Sequence, residues 1–191
     1  MLELPLDHPR PAIQTFRGGR ETGVLEEELT GRLGALARES GATPFMVLLA
    51  AFKVLLYRYS GQTDLIVGTP IAGRNRREVE GLIGFFINTL AMRTRLGGRK
   101  RFSEVLGEVR ETALGAYQHQ DLPFEKLLEE LNPDRDLSRT PVFQVMFNLI
   151  NVAGERDRAE LPGLTVERVG QADPDSKFDL TLYVRPDGRR L

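Results

Sequence analysis

The sequence predicts a mixed α/β fold of the α+β kind, in which helices pack against a sheet and the strands follow no strict βαβ rhythm. The chain has 191 residues, of which 41% are apolar, and this indicates one domain or one lobe of a larger protein with a buried core. The stretch 44–59 is apolar on nearly every helical face. Several short apolar runs between charged loops are typical of strands, so both kinds of element are expected.

The first two helices are predicted from apolar residues at helical spacing. One covers 27–40 and ends at Gly41. The next begins after Thr43, a preferred N-cap residue, with Pro44 at the first helical position. It runs to Tyr59, and we expect it to be buried against a sheet because it is apolar nearly all round.

Two later helices have a narrower apolar stripe. One is expected from Phe102 to Ala116, with Ser103 as its cap. The other is short, starts near Pro123 and has Asp121 as its expected cap.

Strands are predicted from short runs of apolar and β-branched residues, at 65–67, 87–93, 142–150, 164–169 and 178–184. The third run has two different faces, because side chains alternate along a strand. One face is purely apolar and is expected in the core: Phe143, Val145, Phe147 and Leu149. The other mixes polar and apolar residues: Val142, Gln144, Met146, Asn148 and Ile150. This mixed composition is typical of a tunnel wall, although Asn148 would also suit the ordinary surface of a sheet.

The composition excludes several classes of protein. The 26 basic and 27 acidic residues leave a net charge of −1, without the basic footprint of a nucleic-acid binder. Cysteine is absent, and His8 and His119 are far apart, so neither a disulfide nor a metal site is expected. No run of about 18 apolar residues could span a membrane, and the N-terminal residues lack the pattern of a signal peptide. We therefore expect a cytoplasmic protein.

The segment 68–75 has the glycine spacing of a phosphate-binding loop. However, Arg74 and Asn75 stand where that loop needs Lys and Ser or Thr. Pro70 also removes one of the backbone N–H donors that would hold phosphate. We interpret the segment as a tight exit from a strand, and no nucleotide site is predicted.

Three segments resemble core motifs of the condensation domains of nonribosomal peptide synthetases. The segment 83–93, IGFFINTLAMR, is similar to the fifth motif, and 119–125, HQDLPFE, is similar to the sixth. The segment 135–142, RDLSRTPV, is similar to the seventh, with Thr140 where Asn is usual. Their order and spacing match the family, and 4–11 resembles its interlobe linker.

The resemblance implies a chloramphenicol acetyltransferase-like fold with two lobes arranged in a V. A tunnel runs between the lobes, and peptidyl carrier protein domains dock at its two ends. In this family an acyl group held as a thioester on a carrier protein is joined to an acceptor amine, which forms an amide. The substrates are carried on the phosphopantetheine of the partner carrier proteins, and no cofactor is expected on this chain.

The reactive H-H-x-x-x-D-G motif of the family does not occur in this sequence. The resemblance therefore implies the C-terminal lobe alone, with an extended interlobe arm at 1–19 and the lobe at 20–191, incomplete at its C-terminal end. We expect no catalytic residue here, and the N-terminal lobe of the same domain becomes an expected partner. His119 is interpreted as part of a helix joint and not as a general base.

The family places the strand 142–150 along the tunnel, so substrate binding is expected of Asn148, Gln144 and Met146. A buried asparagine needs partners for its amide, which predicts a backbone-bridging role for Asn88. The charged loop of the seventh motif is expected to use its arginines to bind backbone carbonyls or a carboxylate. The expected structural residues are Asn88, Gln120, Asp121, Arg135 and Arg139.

One alternative belongs to a different functional class. The chain could be a non-catalytic lobe that binds a carrier protein or completes another subunit, and this interpretation predicts the same residues. An epimerization domain is a further relative, but the intact motifs at 83–90 and 135–141 disfavour it.

Overall fold

The computed structural model describes residues 1–134, 136–150, 164 and 175–191. The helices are α1 (Glu27–Glu39), α2 (Pro44–Ser60), α3 (Arg77–Glu80), α4 (Phe102–Gln118) and α5 (Phe124–Leu131). The strands are β1 (Asp64–Ile71), β2 (Asn88–Arg95), β3 (Val145–Leu149) and β4 (Leu180–Val184). The predicted strand at 164–169 lies outside the described residues, apart from Leu164.

The four described strands form one mixed sheet in the order β2-β1-β3-β4. β1 and β2 are antiparallel and pair from Asp64–Arg95 to Ile71–Asn88. β3 runs parallel to β1, with Gly68 opposite Met146, and β4 runs parallel to β3. The predicted mixed α/β fold class is confirmed.

The core lies between one face of the sheet and the helices α2 and α4. Alternate residues of β1, namely Leu65, Val67 and Thr69, are buried, as side-chain alternation requires. On β3, the ring of Phe147 packs against those of Phe45 and Phe52 in α2, with centroids 5.3 and 6.0 Å apart. Aromatic pairs at these distances add to the stabilisation from buried area.

The structure confirms α2 as a buried helix that begins after Thr43, whose hydroxyl accepts a hydrogen bond from the N–H of Met46 at 3.3 Å. The helix ends at Gly61, which has a φ of 69°, a left-handed conformation that glycine adopts without a steric penalty. Burial is not uniform around the helix, however. Leu55 and Tyr59 are 50% and 66% exposed, so these two apolar residues lie outside the core.

The opposite face of the sheet is partly covered by aromatic rings. Phe143 is buried and packs between Phe124 and Phe178, with centroid distances of 5.3 and 5.6 Å. A Cβ atom at Gly68 would lie 2.2 Å from the ring of Phe143, which is closer than two non-bonded carbon atoms can approach. Glycine at this position in the strand therefore lets the ring lie directly on β1.

Three predicted boundaries of helices and strands were wrong. Ser103 lies inside α4 and is not its cap; instead the Glu104 carboxylate accepts a hydrogen bond from the N–H of Arg101 at 2.6 Å. The strand predicted at 142–150 begins only at Val145, because Val142 has a φ of 68°, which is incompatible with an extended strand. The strand predicted at 65–67 continues to Ile71, so Gly68 belongs to the strand and not to a loop.

Lys53 is a charged residue type in the centre of the core. It is 0% exposed, and its Nζ donates to the carbonyl oxygen of Met92 at 2.6 Å and to the hydroxyl of Thr94 at 2.8 Å. Burial away from water lowers the pKa of Lys53 to about 7, and the charge of Asp64 opposes this shift. The hydrogen bonds attach the middle of α2 to β2.

We expect the stability of the chain to rise with pH between about pH 7 and 9. In this window the unfolded chain binds a proton at Lys53 that the folded chain does not, so raising the pH favours folding by about 2 kcal/mol. Urea unfolding at several pH values measures the effect. In Lys53→Met the rise should vanish, and an unchanged rise in this variant would show that another group causes it.

Within the described residues, no single helix is long and apolar enough to cross a membrane. Only α1 and α2 taken together satisfy such a criterion, and they are bent by 106° relative to each other.

Candidate functional site

The sheet face that points away from α2 is half-buried and mixed in character. We call it the open face, and by strand alternation and pairing it comprises Asp64, Ile66, Gly68, Pro70, Thr89, Ala91, Arg93, Arg95, Met146, Asn148, Thr181 and Tyr183. Met146 and Asn148 both lie on it and are half-buried, while Val145 and Phe147 point into the core. Asn148 lies opposite Tyr183 of the neighbouring strand. The open face thus combines an amide, hydroxyl groups and apolar side chains with the ion pair of Arg93 and Asp64, which are 2.6 Å apart.

The expectation that Gln144 shares this face was wrong. Its side chain is 1% exposed, because the residue precedes the strand and turns inward. Its amide donates to the carbonyl oxygen of Thr140 and accepts from the N–H of Leu2, both at 2.9 Å. Gln144 therefore connects the start of the chain to the core and is not available to a ligand.

The side chain of Asn88 bridges three backbone segments at the start of β2. Its amide nitrogen donates to the carbonyl oxygens of Gln120 and Leu122, each at 2.8 Å. Its amide oxygen accepts from the N–H groups of Phe124 and Thr89, at 3.1 and 2.8 Å. The first N–H of α5 is therefore capped from a neighbouring strand.

The expected cap, Asp121, has another role. α5 has no side-chain cap from its own segment, and the Asp121 carboxylate instead accepts from the amide of Asn75 at 2.8 Å. Gln120 contributes its backbone carbonyl to Asn88. His119 is exposed and ends α4. The segment 119–123, which connects α4 to α5, is thus held by hydrogen bonds to Asn75 and Asn88.

Within the segment between β1 and β2, Arg74 contacts several other residues of the same segment. Its guanidinium lies 4.3 Å from the ring centroid of Phe86 and donates to the carbonyl oxygens of Val79 and Glu80. Gly73 has a φ of 62°, and a Cβ atom there would lie 1.9 Å from the carbonyl oxygen of Phe86. Only glycine fits this close approach.

The same segment presents apolar side chains to the outside. In what we call the apolar loop, residues 81–87, Ile83 and Phe85 are 105% and 90% exposed, and Leu82 and Ile87 are more than half exposed. The apolar loop leads into β2 at the sheet end where β1 and β3 finish, so it lies at the same end as Asn148. Contiguous exposed apolar residues are typical of an interaction surface.

Arg139, from the third motif-like segment, binds the beginning of the chain. Its guanidinium forms two hydrogen bonds with the Glu3 carboxylate and lies 3.6 Å from Asp136. The hydrogen bond from Arg139 lowers the pKa of Glu3. The hydroxyl and N–H of Ser138 lower the pKa of Asp136 by donating to its carboxylate. Arg135 lies outside the described residues.

The extended arm that precedes α1 is attached to the lobe. Arg10 donates to both carboxylate oxygens of Asp179, at 2.9 and 2.5 Å, and both side chains are only 16% exposed. Further along, the N–H of Gln14 donates to the carbonyl oxygen of Leu137 at 3.0 Å. The arm thus follows the loop that contains Arg139.

No group of three or more potential metal ligands is found among the described residues. At this end of the lobe the amide of Asn148 and the hydroxyl of Tyr183 lie on neighbouring strands, and the segments described above add the guanidinium of Arg74 and the carboxylate of Asp121. The amide and hydroxyl groups can orient a substrate by hydrogen bonds.

Comparison with known proteins gives a consistent assignment. The sequence profile of the condensation domain matches residues 1–191. One of the linear gramicidin synthase proteins of Brevibacillus parabrevis is 56% identical over 182 residues, which cover 95% of this chain and 2% of the relative. Bacitracin synthase 3 of Bacillus licheniformis is 48% identical over 182 residues, which cover 95% of this chain and 3% of the relative. The chain spans only a small part of these curated relatives.

Solved structures agree with the sequence relatives. The X-domain from teicoplanin biosynthesis superposes with a TM-score of 0.86 at 35% identity, over 96% of this chain and 41% of that chain. Its complex with OxyB gives a TM-score of 0.84 at 34% identity, with coverage of 96% and 39%. A four-domain nonribosomal peptide synthetase bound to AMP and glycine gives a TM-score of 0.84 at 27% identity, with coverage of 98% and 15%.

The resemblance noted in three sequence segments is therefore confirmed over the whole chain. The mixed sheet and its helices correspond to the chloramphenicol acetyltransferase-like fold of these neighbours. Because the family profile matches every residue from 1 to 191, the chain belongs to the condensation domain family.

Proposed function

We propose that this chain is the C-terminal lobe of a condensation domain that forms amide bonds in nonribosomal peptide synthesis. The observation that carries the proposal is the joint position of Asn148 and the exposed apolar loop at one end of the sheet. A polar group that orients substrate and an apolar surface that binds a second lobe are both needed at a tunnel between lobes. The coverage of 41% of the X-domain is compatible with one lobe of two.

In the proposed reaction, the nitrogen of an acceptor amine attacks the carbonyl carbon of a thioester. A carbon–nitrogen bond forms, the carbon–sulfur bond breaks, and the thiol of the phosphopantetheine arm leaves with a proton. The amide of Asn148 suits this step because it can donate to the carbonyl oxygen and accept from the amine. Positioning of the two reactants supplies a large part of the rate enhancement in such reactions.

The partners follow from this chemistry. Peptidyl carrier protein domains deliver both substrates on phosphopantetheine, and the N-terminal lobe supplies the reactive H-H-x-x-x-D-G motif and the other tunnel wall. The apolar loop is the surface we assign to the contact between lobes. In this account the chain itself holds no metal and no cofactor.

Asn148→Ala, made in the complete two-lobed domain, tests the proposed role of this residue. We expect amide formation to slow by at least about tenfold, since one oriented hydrogen-bonding group is lost, while the melting temperature changes little. Asn88→Ala is the matched control: its amide bridges backbone segments, so the same change should lower stability. If Asn148→Ala reduces stability as much as Asn88→Ala does, Asn148 has a structural role.

A second candidate function is supported by one observation. The X-domain gives a TM-score of 0.86, and its complex with OxyB shows that this relative binds another protein. A non-catalytic lobe that binds a protein partner would keep the fold and the apolar loop. It would not depend on the amide of Asn148, so the same variant separates the two functions.

A further inference from the structure

A cavity of about 270 Å³ lies at the sheet end where β1 and β3 finish. It is situated between the start of α2, the end of α4 and the last residues of these two strands. Its apolar walls come from Phe45, Pro70, Ile71 and Leu149. In open α/β sheets, ligands often bind beyond the carboxyl ends of the strands, and β1 and β3 both end here.

The other described lining residues carry hydroxyl groups. The hydroxyl of Thr69 donates to the carbonyl oxygen of Phe147 at 2.9 Å, and that of Thr43 accepts from the N–H of Met46. Burial raises the pKa of Tyr117, so its phenol stays protonated near neutral pH. The described lining therefore includes no ionised group.

The volume restricts what can enter. Its volume of about 270 Å³ lies near the lower end of the roughly 300–1,000 Å³ of pockets for drug-sized ligands. It can therefore hold one amino-acid side chain, which would contact the four apolar walls.

The position of the cavity relates it to the reaction. Leu149 lines it, and the preceding residue, Asn148, lies on the open face of the same strand. A substrate whose reacting carbonyl is bound at Asn148 would thus have this cavity at the same end of the sheet, on the side that faces α2. The two features are next to each other because they share the end of β3.

We propose that this cavity binds the aliphatic side chain of an aminoacyl or peptidyl substrate. This inference rests on the proposed function for the identity of the substrate, but the binding itself is a property of the chain alone. The site would favour a leucine-like side chain over a glycine. Burying such a side chain contributes roughly 1.5–3 kcal/mol, which is equivalent to about 10- to 150-fold in affinity.

The test is a titration of the 191-residue chain, followed by two-dimensional NMR. The probe is N-acetyl-L-leucine amide, and N-acetylglycine amide and pantetheine are the comparison compounds. We expect saturable shifts at Ile71 and Leu149 with the leucine probe, at least about tenfold weaker binding of the glycine probe, and no equivalent shifts with pantetheine. Intermolecular NOEs from the isobutyl group to these two side chains give a measurement that needs no variant.

Ile71→Trp should fill the cavity and weaken binding of the leucine probe at least about tenfold. The matched control is Leu55→Trp, because Leu55 is a half-exposed aliphatic residue of α2 that lies outside both the described cavity lining and the open face. The inference is overturned if the leucine probe gives no saturable shift, if the glycine probe or pantetheine binds equally well at these residues, or if Ile71→Trp binds like Leu55→Trp.

A second experiment separates this inference from the proposed function. In the complete domain, leucine- and glycine-loaded carrier proteins are compared for amide formation with and without Ile71→Trp. If amides form but the preference does not change, the cavity has no role in selecting substrate while the proposed function stands. If no amide forms with any substrate, the proposed function fails, and the NMR titration still decides whether the cavity binds an aliphatic group.

Discussion

Replacing Leu49 or Leu56 by alanine should lower the free energy of unfolding by about 2–5 kcal/mol, the range expected when a fully buried leucine is truncated. Both side chains are at most 2% exposed and lie on the face of α2 that packs against the sheet and α4. The loss has two causes: the folded state buries fewer apolar atoms away from water, and the removed side chain leaves a cavity in the core. A value this large is a substantial fraction of the stability of a typical domain.

Leu55→Ala is the matched control, because it makes the same chemical change on the same helix at a side chain that is 50% exposed. Its expected effect is below about 1 kcal/mol. Urea unfolding followed by circular dichroism measures all three variants. A loss below about 1 kcal/mol at both Leu49 and Leu56 would contradict the buried position of α2.

Local chemistry made the helices predictable. Thr43 and Pro44 define the start of α2 without any tertiary contact, and Gly61 defines its end. The sequence could not indicate which apolar residues of α2 would be exposed, because Leu55 and Leu56 are chemically alike. It also gave no sign that Lys53 would be buried, since that depends on acceptors in β2.

The joint before α5 shows why its cap was predicted incorrectly. Asp121 stands in a suitable position along the chain, and local preference alone would make it the cap. The fold instead brings Asn88, 36 residues before Phe124, to the first N–H of the helix. The residues around the start of α5 give no indication that its cap comes from a strand elsewhere in the sequence. The single amide of Asn88 among apolar residues did, however, indicate that this side chain bridges backbone groups.

The mixed face of β3 was only partly predictable. Alternation correctly separated Met146 and Asn148 from Val145 and Phe147. It failed at Phe143, whose ring packs on the opposite face against Gly68, and at Gln144, because the positive φ of Val142 interrupts the period of two before the strand begins. The partner of Arg139 was equally inaccessible from the sequence, since Glu3 lies 136 residues away along the chain.

We propose that this chain works as one of two lobes, and we therefore expect it to be catalytically inert on its own. A single lobe supplies one wall of the tunnel and cannot hold the amine in line with the thioester carbonyl, although that positioning accounts for a large part of the barrier. The sequence also contains no His-His pair. His119 is the residue at which α4 ends.

The direct measurement mixes this chain with donor- and acceptor-loaded carrier proteins and detects dipeptidyl product by mass spectrometry. The assay is then repeated with the N-terminal lobe added in trans. We expect no product above the uncatalysed background from the chain alone and clear product once the second lobe is present. Product above background from this chain alone would contradict the two-lobe account.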